Sequence, residues 1–477
     1  GLDCAIFYMD MRTQGKDFDR YYENAKAGGV RFIPAKIHTV EPVSGSDDLL
    51  MRYLDEDGRN SSETFDMVVL STGIEVGRES IALSKTLGIE IDAYHFTRSD
   101  SFHPVNTSVP GIYACGVFTG PKDIPQSVMQ ASAAACAATE NLAAARNTRT
   151  RAVDIPAERD VSRQPPSIGV FVCNCGTNIG GIVRVPEVAE YARNLPGVVY
   201  VEENLFTCSQ DTQDKLSDVI RQHNLNRVVI AACTPRTHEG LFQETLINAG
   251  LNKYLVEMAN IRNQDSWVHS REPDAATEKA KDLVRMAVAK AALLQPLQQT
   301  ALPVSHTALV VGGGVAGITA SLALARQGYP VHLVEKSAQL GGNARQLNSA
   351  YQDESIPEYL QNLIRRVESE KNIQVHLETT VGHVDGFIGN FKTTLSNGSA
   401  PEIVDHGVAI LATGAREYKP REYLYGDHAA VVTHLGMDAL FREKDSRIKT
   451  AQDVVFIQCV GSRNEEHPYC SKVCCTH

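Results

Sequence analysis

The chain has 477 residues, of which 43% are hydrophobic and 22% are charged, and its net charge is −11. This length allows roughly three domains that each bury a core, and the composition is ordinary for a soluble globular protein. The negative charge argues against a nucleic-acid partner, because phosphate binding needs clustered lysines and arginines. No apolar run is long enough for a transmembrane segment and no secretory leader is visible, which predicts a cytoplasmic location. The chain begins at Gly1 and ends just after a cysteine pair, so we expect a segment of a longer protein.

Alternating strand and helix patterns predict four parts. Residues 1–145 form an α/β segment, and residues 146–166, rich in Arg, Pro and polar residues, form a linker. Residues 167–300 contain four short β-rich runs separated by helices, which predicts a parallel sheet. Residues 301–477 begin a further α/β unit. The four runs are Ile168–Val172, Val198–Val201, Val228–Ala232 and Tyr254–Met258.

The clearest motif is a glycine-rich loop that follows the apolar run at residues 308–311. Gly312 is predicted to make a tight turn, Gly314 to let the backbone approach a pyrophosphate, and Gly317 to let the next helix pack on the strand. A second strand ends at Glu335, which is expected to accept hydrogen bonds from ribose hydroxyls. Because strand, loop, helix, strand and acid occur in this order, the pattern predicts a dinucleotide site rather than a turn without a ligand.

Residues after Glu335 favour FAD over NAD. A second glycine pair that ends at Gly342, with Lys336 and Arg345 beside it, is typical of two-dinucleotide-binding flavoproteins. The run 408–411, followed by Thr413 and Gly414, is predicted to be a strand that returns to the cofactor.

The first part of the chain carries motifs that normally come late in such flavoproteins. Val68–Gly73 is predicted to be the counterpart of the returning strand, and Val109–Gly116 resembles the late strand that contacts the ribityl chain. The helix that contains Gln130 is expected to point its N-terminus at the isoalloxazine. The usual aspartate after Gly116 is replaced by valine, so Lys122 and Asp123 are added as candidate flavin contacts.

These late motifs precede the early ones, and two tandem flavoprotein units would explain the order. The chain would then hold the back half of one unit and the front half of the next. Residues 301–477 alone are expected to hold FAD poorly, because they lack the ribityl half. Residues 1–145 could complete the site in a permuted arrangement.

Four cysteines near the C-terminus suit an iron–sulfur cluster, which needs soft anionic ligands on one centre. They follow a predicted buried strand, Val454–Ile457, and Arg463 nearby is a candidate for tuning the cluster potential. Zinc, a redox disulfide and unligated buried thiols are the alternatives. The four are Cys459, Cys470, Cys474 and Cys475.

Four further cysteines follow the first three predicted strands of the middle part. Because the carboxyl ends of parallel strands share one edge, these side chains should converge there. A cluster or redox role and ordinary buried thiols both remain open. The four are Cys173, Cys175, Cys208 and Cys233. His238 and Trp267 are predicted to be contacts at a domain interface.

Together the segments 168–176, 233–238, 312–342 and 459–475 resemble the A subunit of heterodisulfide reductase. The segments 8–13 and 120–124 resemble the back half of the same subunit. The resemblance implies thioredoxin-reductase-like FAD-binding halves flanking a parallel α/β domain of the N-terminal type. It implies FAD and [4Fe-4S] clusters, with Cys459, Cys470, Cys474 and Cys475 as cluster ligands. The partners it implies are other heterodisulfide-reductase-type subunits and ferredoxin-like electron carriers, and it is compatible with a homodimer. The Cys-x2-Cys-x2-Cys runs of ferredoxin modules are missing, so electron bifurcation is not inferred.

Two other functions compete with that of an electron-transfer flavoprotein subunit. An NAD(P)H-dependent flavin disulfide reductase would need a cysteine pair facing the flavin and a second glycine-rich motif, and neither is visible. A cofactor-free scaffold would have lost the loop glycines or Glu335, and both are intact. No catalytic residue is assigned.

Overall fold

The computed structural model describes residues 2–11, 18–350 and 353–472. The chain divides into two compact units. Gly1–Thr148 and Pro303–His477 together form the first, and Arg149–Leu302 forms the second. The two segments that carry the flavin motifs therefore belong to one unit, although the second unit separates them in the sequence.

The N-terminal segment contains a four-stranded sheet with the order β1-β2-β3-β4. β1 pairs with β2 in parallel, and the other pairs are antiparallel. The longest helix of this segment, α3, begins with a capping box. The Asp123 carboxylate accepts a hydrogen bond from the Gln126 backbone N–H at 2.7 Å, and the Gln126 side chain accepts one from the Asp123 backbone. The elements are β1 (Ala5–Tyr8), α1 (Phe18–Ala27), β2 (Arg31–Pro42), β3 (Leu49–Asp55), β4 (Asn60–Phe65), α2 (Arg78–Leu87) and α3 (Ile124–Leu142).

Two strands predicted in this segment are wrong. Residues 68–73 are in no strand, and Val69 and Leu70 are more than two-thirds exposed. An apolar run becomes a strand only where its backbone finds a pairing partner, and within the described residues these find none. In Val109–Gly116 only Tyr113 forms an isolated bridge, to Asn106. The chain turns at Pro110 and Gly111, where the Ile112 N–H donates to the Val109 carbonyl, so it folds back on itself instead of extending.

The middle unit has the predicted parallel sheet, with strand order β6-β5-β7-β8. Every residue of β5 and β7 is buried, as expected for central strands covered on both faces. α4 packs against α7 and α5 against α6. The elements are β5 (Ile168–Cys173), α4 (Val185–Arg193), β6 (Val198–Asn204), α5 (Gln210–Gln222), β7 (Arg227–Ala232), α6 (Pro235–Asn248), β8 (Val256–Asn260) and α7 (Pro273–Leu293).

Part of the predicted linker packs on the middle unit. Val161 is completely buried in its core. The Arg159 backbone N–H donates to the Gly250 carbonyl at 2.9 Å, and its guanidinium donates to the Leu225 carbonyl at 2.9 Å. The polar composition of residues 146–166 predicted a solvent-exposed linker, and a single apolar residue, Val161, packs part of it onto the middle unit.

The C-terminal segment is Rossmann-like, and the fold class is α/β as predicted. A parallel sheet with the order β11-β10-β9-β15 lies beside an antiparallel sheet, β12-β13-β14. The predicted returning strand is β15, which pairs with β9 in parallel. The elements are β9 (Ala308–Val311), α8 (Val315–Arg326), β10 (Val331–Val334), α9 (Ile356–Ser369), β11 (Ile373–His376), β12 (Thr380–Phe387), β13 (Asn390–Ser396), β14 (Glu402–His406), β15 (Val408–Leu411), α10 (His434–Glu443) and α11 (Ser446–Thr450).

The predicted buried strand Val454–Ile457 is also wrong. All four side chains are more than half exposed, and the stretch pairs with no strand in the part of the chain that the structure describes. Four consecutive apolar residues indicate a tendency to be buried but do not identify a neighbouring strand. Among the helices of the described residues, none combines the length and apolar character needed to cross a membrane.

Asp265 is a buried acid in the middle unit. It lies in the π-helical turn Arg262–Ser266, is fully buried, and neither carboxylate oxygen has a hydrogen-bond partner among the described residues. Burial raises the pKa of Asp265 to about 6, although the charges of Lys279 and His269 oppose the shift. The folded unit therefore binds a proton more tightly than the unfolded chain, and its stability falls as the pH rises from about 4 to about 6.

Replacing this carboxylate with an amide should remove that penalty. We expect Asp265→Asn to raise the free energy of unfolding of the middle unit by about 1–3 kcal/mol at pH 8. The gain should vanish near pH 4, where the parent is protonated. Hydrogen exchange of the α7 amides, compared between variant and parent at pH 4.5 and pH 8, measures this difference. Equal protection at both pH values would contradict the buried-acid assignment.

Candidate functional site

The glycine-rich loop between β9 and α8 is held by two glycines that admit no side chain. Gly312 has φ +113°, and a Cβ there would overlap the Ala412 backbone after β15. A Cβ on Gly317 would overlap the Gly312 carbonyl oxygen. These two residues therefore fix the close approach of loop, helix and returning strand, as predicted.

Gly314 is different, because its space is open. Its φ is −76°, and a Cβ built on it would meet nothing within 4 Å. It is the N-cap of α8 and contributes no capping side chain, so the first N–H groups of the helix face that open space. This combination fits an anionic ligand at the start of the helix, where the helix dipole favours negative charge.

Glu335 holds the loop from the end of β10. Its carboxylate accepts hydrogen bonds from the Gly313 N–H at 2.7 Å and the Ser337 N–H at 2.8 Å. Burial acts to raise the pKa of Glu335, but these backbone hydrogen bonds outweigh it and the pKa is lowered. The residue is therefore ionised at neutral pH. Its contact with a ribose stays a prediction.

The second glycine pair lies directly against the loop. Gly341 forms a bridge with Gly314, and a Cβ on Gly342 would lie 3.2 Å from the Gly314 Cα. The exposed Arg345 donates to the Leu340 carbonyl at 3.0 Å. Lys336, Thr413 and Gly414 are also exposed, and the last two begin two residues after the end of β15.

The candidate flavin contacts of the N-terminal segment gather at the start of α3. The Gln130 side-chain oxygen accepts hydrogen bonds from the Gly116 N–H at 3.0 Å and from the Lys122 ammonium at 2.8 Å. Burial lowers the pKa of Lys122, with the Cys115 thiol opposing. Asp123, by contrast, caps α3 with its carboxylate. Their contact with a flavin stays a prediction.

The middle-unit cysteines converge as predicted from the strand polarity. All four line one cavity of about 220 Å³. Cys173 and Cys175 are neighbours in this cavity. The complete lining is Cys173, Cys175, Asn178, Phe206, Cys208, Ala232, Cys233, His238, Phe242 and Arg262.

Burial keeps two of these thiols protonated. It raises the pKa of Cys175 to about 11, together with the neighbouring Cys173, while Arg262 acts in the opposite direction. Burial also raises the pKa of Cys233, and Arg262 again opposes. Arg262 is thus a cation placed to favour thiolates in this cavity.

Arg262 and Asn178 are cavity residues that the sequence did not reveal. Arg262 stacks on the Trp267 ring at 4.8 Å, and the indole N–H donates to the Asn178 side chain at 3.3 Å. Trp267 therefore orients two lining residues, and its contact at a domain interface stays a prediction. A single arginine in a polar turn carries no pattern, but its place after β8, at the same sheet edge as the cysteines, was an available signal.

Within the described residues, no three His, Cys, Asp or Glu side chains are close enough to hold a metal ion as they stand. The cavity cysteines fit a cluster in number and chemical type. Ligation would require their side chains to turn toward the cavity centre.

The C-terminal cysteine set is only partly described, because Cys474 and Cys475 lie outside the described residues. Cys459 and Cys470 are half-buried. Arg463, the candidate for tuning the cluster, forms a hydrogen bond with Cys459 and a two-point ion pair with Asp19 of α1, at 2.9 and 3.1 Å. That pair connects the loop to the N-terminal segment. The cluster assignment stays a prediction.

Two family models match parts of the chain. Residues 310–367 match an NAD(P)-binding Rossmann-like domain. Residues 9–136 match a pyridine nucleotide-disulphide oxidoreductase domain. The first matched range contains the glycine-rich loop, and the second contains Gly116, Lys122 and Gln130.

Curated relatives match a larger share of the chain. The A subunit of the H(2):CoB-CoM heterodisulfide,ferredoxin reductase of Methanothermobacter marburgensis is 35% identical, with 67% of this chain and 62% of that protein covered. A protein of Archaeoglobus profundus, named as being like the heterodisulfide reductase A subunit, is 45% identical over 49% of this chain and 33% of its own. The thioredoxin reductase structure of Lactococcus lactis is 22% identical, has a TM-score of 0.22, and covers 25% of this chain and 40% of that one. The chain thus spans less than two-thirds of the length of the first relative.

The open space at Gly314 gives a direct test of the dinucleotide site. Gly314→Val should leave the fold intact, since its φ and surroundings accept a side chain, but the valine should fill the space needed by a pyrophosphate. We expect the flavin bound per chain to fall by about tenfold or more. Gly240→Val is the matched control, because Gly240 is an exposed glycine with equally open surroundings in α6. Flavin released by denaturation is measured by absorbance. Parental flavin content in Gly314→Val would remove the site assignment.

Proposed function

We propose that this chain, which belongs to the family of heterodisulfide reductase A subunits, is an FAD- and [4Fe-4S]-dependent electron-transfer subunit of a heterodisulfide-reductase-like oxidoreductase complex. The observation that carries the proposal is the presence in one chain of a helix-capping glycine loop and a cavity lined by four cysteines. The first suits a dinucleotide and the second suits a soft metal centre.

Bound FAD would supply the exchange between two-electron and one-electron chemistry. The protein's own residues would position it. Gly312 and Gly314 with the α8 N-terminus would hold the pyrophosphate, and Glu335 would accept from the ribose while keeping the loop in place. Lys122, held through Gln130, would place a cation beside the isoalloxazine.

Iron–sulfur ligation is proposed for the cavity cysteines and for the C-terminal set. In the cavity, Arg262 would offset part of the negative charge of four thiolates, and charged groups beside a cluster tune its potential. Electrons would pass between these centres and the partners, for which we propose ferredoxin-like carriers and other subunits of the same type. Ferredoxin is part of the names of four relatives. We also propose a cytoplasmic location.

An NAD(P)H-dependent flavin disulfide reductase is the second candidate. The family match at residues 9–136 favours it, because that family is named for pyridine nucleotides. The two functions differ in the reductant. The disulfide reductase would take hydride from a nicotinamide, whereas the electron-transfer subunit would take single electrons from an iron–sulfur carrier.

Anaerobic reduction separates the two candidates. In the full chain loaded with flavin and iron, reduced ferredoxin should bleach the flavin absorbance at a rate at least about tenfold above that with equimolar NADPH or NADH. The Gly314→Val chain, treated in the same way, controls for reduction of free flavin. Fast reduction by NADPH with slow reduction by ferredoxin would overturn the electron-transfer proposal in favour of the disulfide reductase.

Cysteine variants test the cavity cluster. Cys173→Ser should lower anaerobically reconstituted iron and sulfide, by up to about four atoms each per chain, because it removes one of the four thiolates that would hold a [4Fe-4S] centre. Cys4→Ser is the control, because Cys4 is exposed and does not line the cavity. Cys470→Ser reports separately on the C-terminal set. Unchanged iron in Cys173→Ser, with the spectrum of the parent, would mean that the cavity holds no cluster.

A further inference from the structure

We infer that the FAD site of this chain is a permuted one, closed within a single copy of the chain by the N-terminal segment. Residues 312–345 would supply the pyrophosphate side, and residues 116–130 would supply the isoalloxazine side. The inference rests on the proposed flavin function and deepens it, because it names the segment that completes the site.

The first support is the packing of α3 on α8. The Glu140 carboxylate forms an ion pair with Arg326 at 3.3 Å, and the Gln327 side chain donates to the Cys136 sulfur at 3.6 Å. Just beyond α3, the Arg146 guanidinium lies over the Tyr329 ring at 5.1 Å and donates to its hydroxyl at 3.1 Å. These contacts join the C-terminal ends of the two helices.

The second support is a contact nearer the helix starts. Phe102 stacks on Tyr359 of α9 with ring centroids 3.8 Å apart and planes 10° from parallel. α9 packs against α8. Burial raises the pKa of Tyr359, and the nearby Thr319 side chain on α8 acts in the opposite direction. Phe102 and Pro104 lie in one loop of the N-terminal segment, and the Pro104 carbonyl accepts a hydrogen bond from the Gln130 side chain of α3 at 3.3 Å.

The two sets of contacts fix the relative direction of the helices. Early in both helices, Gln130 of α3 is connected through Pro104, Phe102 and Tyr359 to Thr319 of α8. Later in both helices, Cys136 and Glu140 of α3 contact Gln327 and Arg326 at the end of α8. α3 and α8 therefore run in the same direction. At 1.5 Å per residue, the start of α3 lies about 9 Å before Gln130 and the start of α8 about 6 Å before Thr319. Both N-termini thus open at the same end of the unit.

That shared end carries both sets of predicted flavin residues. The α8 N-terminus faces the open space at Gly314, and the α3 N-terminus is surrounded by Gly116, Lys122 and Gln130. One extended dinucleotide that meets both would have its negative pyrophosphate at one positive helix end and its flavin ring at the other.

Closure within one chain is favoured over closure between two copies. The intervening middle unit adds little entropic cost, because the cost of closing a loop rises only by about 0.6 kcal/mol for each doubling of length. A tethered segment also has an effective concentration on the order of millimolar, well above that of a second copy in dilute solution.

The test measures FAD affinity in the full chain by quenching of FAD fluorescence. Gln130→Ala removes the group that organises Gly116 and Lys122, and we expect the dissociation constant to rise about tenfold. Ser132→Ala, at an exposed position on the same helix, should not change it. Phe102→Ala, which removes the stack on Tyr359 but touches no predicted flavin residue, should weaken binding as well. Circular dichroism checks that each variant is folded. Parental affinity in folded Gln130→Ala and Phe102→Ala would overturn the inference.

A mixing experiment distinguishes one chain from two. Gly314→Val and Gln130→Ala chains, carrying different tags, are co-expressed and purified through both tags. If each site is built from one chain, the mixture shows no site of parental affinity. If two copies share a site, an intact front half meets an intact back half, and a fraction of parental-affinity sites appears. That fraction would overturn closure within one copy.

The outcome for the proposed function is read separately. A parent chain that never binds FAD would remove the flavin function and this inference together. A parent chain that binds FAD but accepts no electrons from ferredoxin would remove only the electron-transfer role. FAD affinity that is independent of Gln130 and Phe102 would remove only the permuted site.

Discussion

Parallel pairing of strands is the constraint on which both candidate sites depend. In a parallel sheet all strands end at the same edge, and each is followed by a helix that leads the chain back to the opposite edge. The carboxyl ends of the strands and the N-termini of the following helices therefore lie on the same side of the unit. In the middle unit this brings together cysteines that are up to sixty residues apart in the sequence, around a single cavity. In the first unit it brings the loop after β9 against the backbone after β15, where Gly312 meets Ala412. The chemistry differs between the two sites, but the same topological rule positions both.

The sequence was informative wherever a local pattern determines the outcome. The four middle strands, the glycine loop and the convergence of the cysteines follow from periodicity, from the steric needs of Gly312 and Gly317, and from strand polarity. The failures at residues 68–73 and Val454–Ile457 share one cause. An apolar run shows that a segment tends to be buried, but pairing is decided by the strand beside it, which can lie far away in the sequence. Arg262 was missed for a related reason, because its position depends on an irregular turn that no periodic pattern marks.

The cysteine cavity of the middle unit favours protonated thiols, whereas ligation of a cluster needs thiolates. Burial raises the pKa values of Cys175 and Cys233. Arg262 is the counterweight, since its charge lowers both pKa values, and Trp267 holds it in place through stacking. Cluster assembly should therefore release protons, and the cationic side chain should limit the electrostatic cost. Asp265 lies in the same turn as Arg262 and has a raised pKa, so its ionised carboxylate is a further unfavourable charge near this edge of the sheet.

The permuted flavin site makes cofactor binding and segment docking two aspects of one equilibrium. The N-terminal segment meets the C-terminal one through a small set of polar and aromatic contacts, and partly exposed ion pairs such as Glu140–Arg326 contribute little by themselves. A ligand that binds only the docked form stabilises it by RT ln(1 + [L]/Kd), which is about 2.7 kcal/mol at a hundred times the dissociation constant. Because such linkage is reciprocal, contacts that touch no predicted flavin residue, including Phe102 on Tyr359, should affect FAD affinity as strongly as FAD affects docking. The order of the halves along the chain is then no obstacle to a complete site, since a cofactor that binds only the docked form would add its binding free energy to the contacts that hold them together.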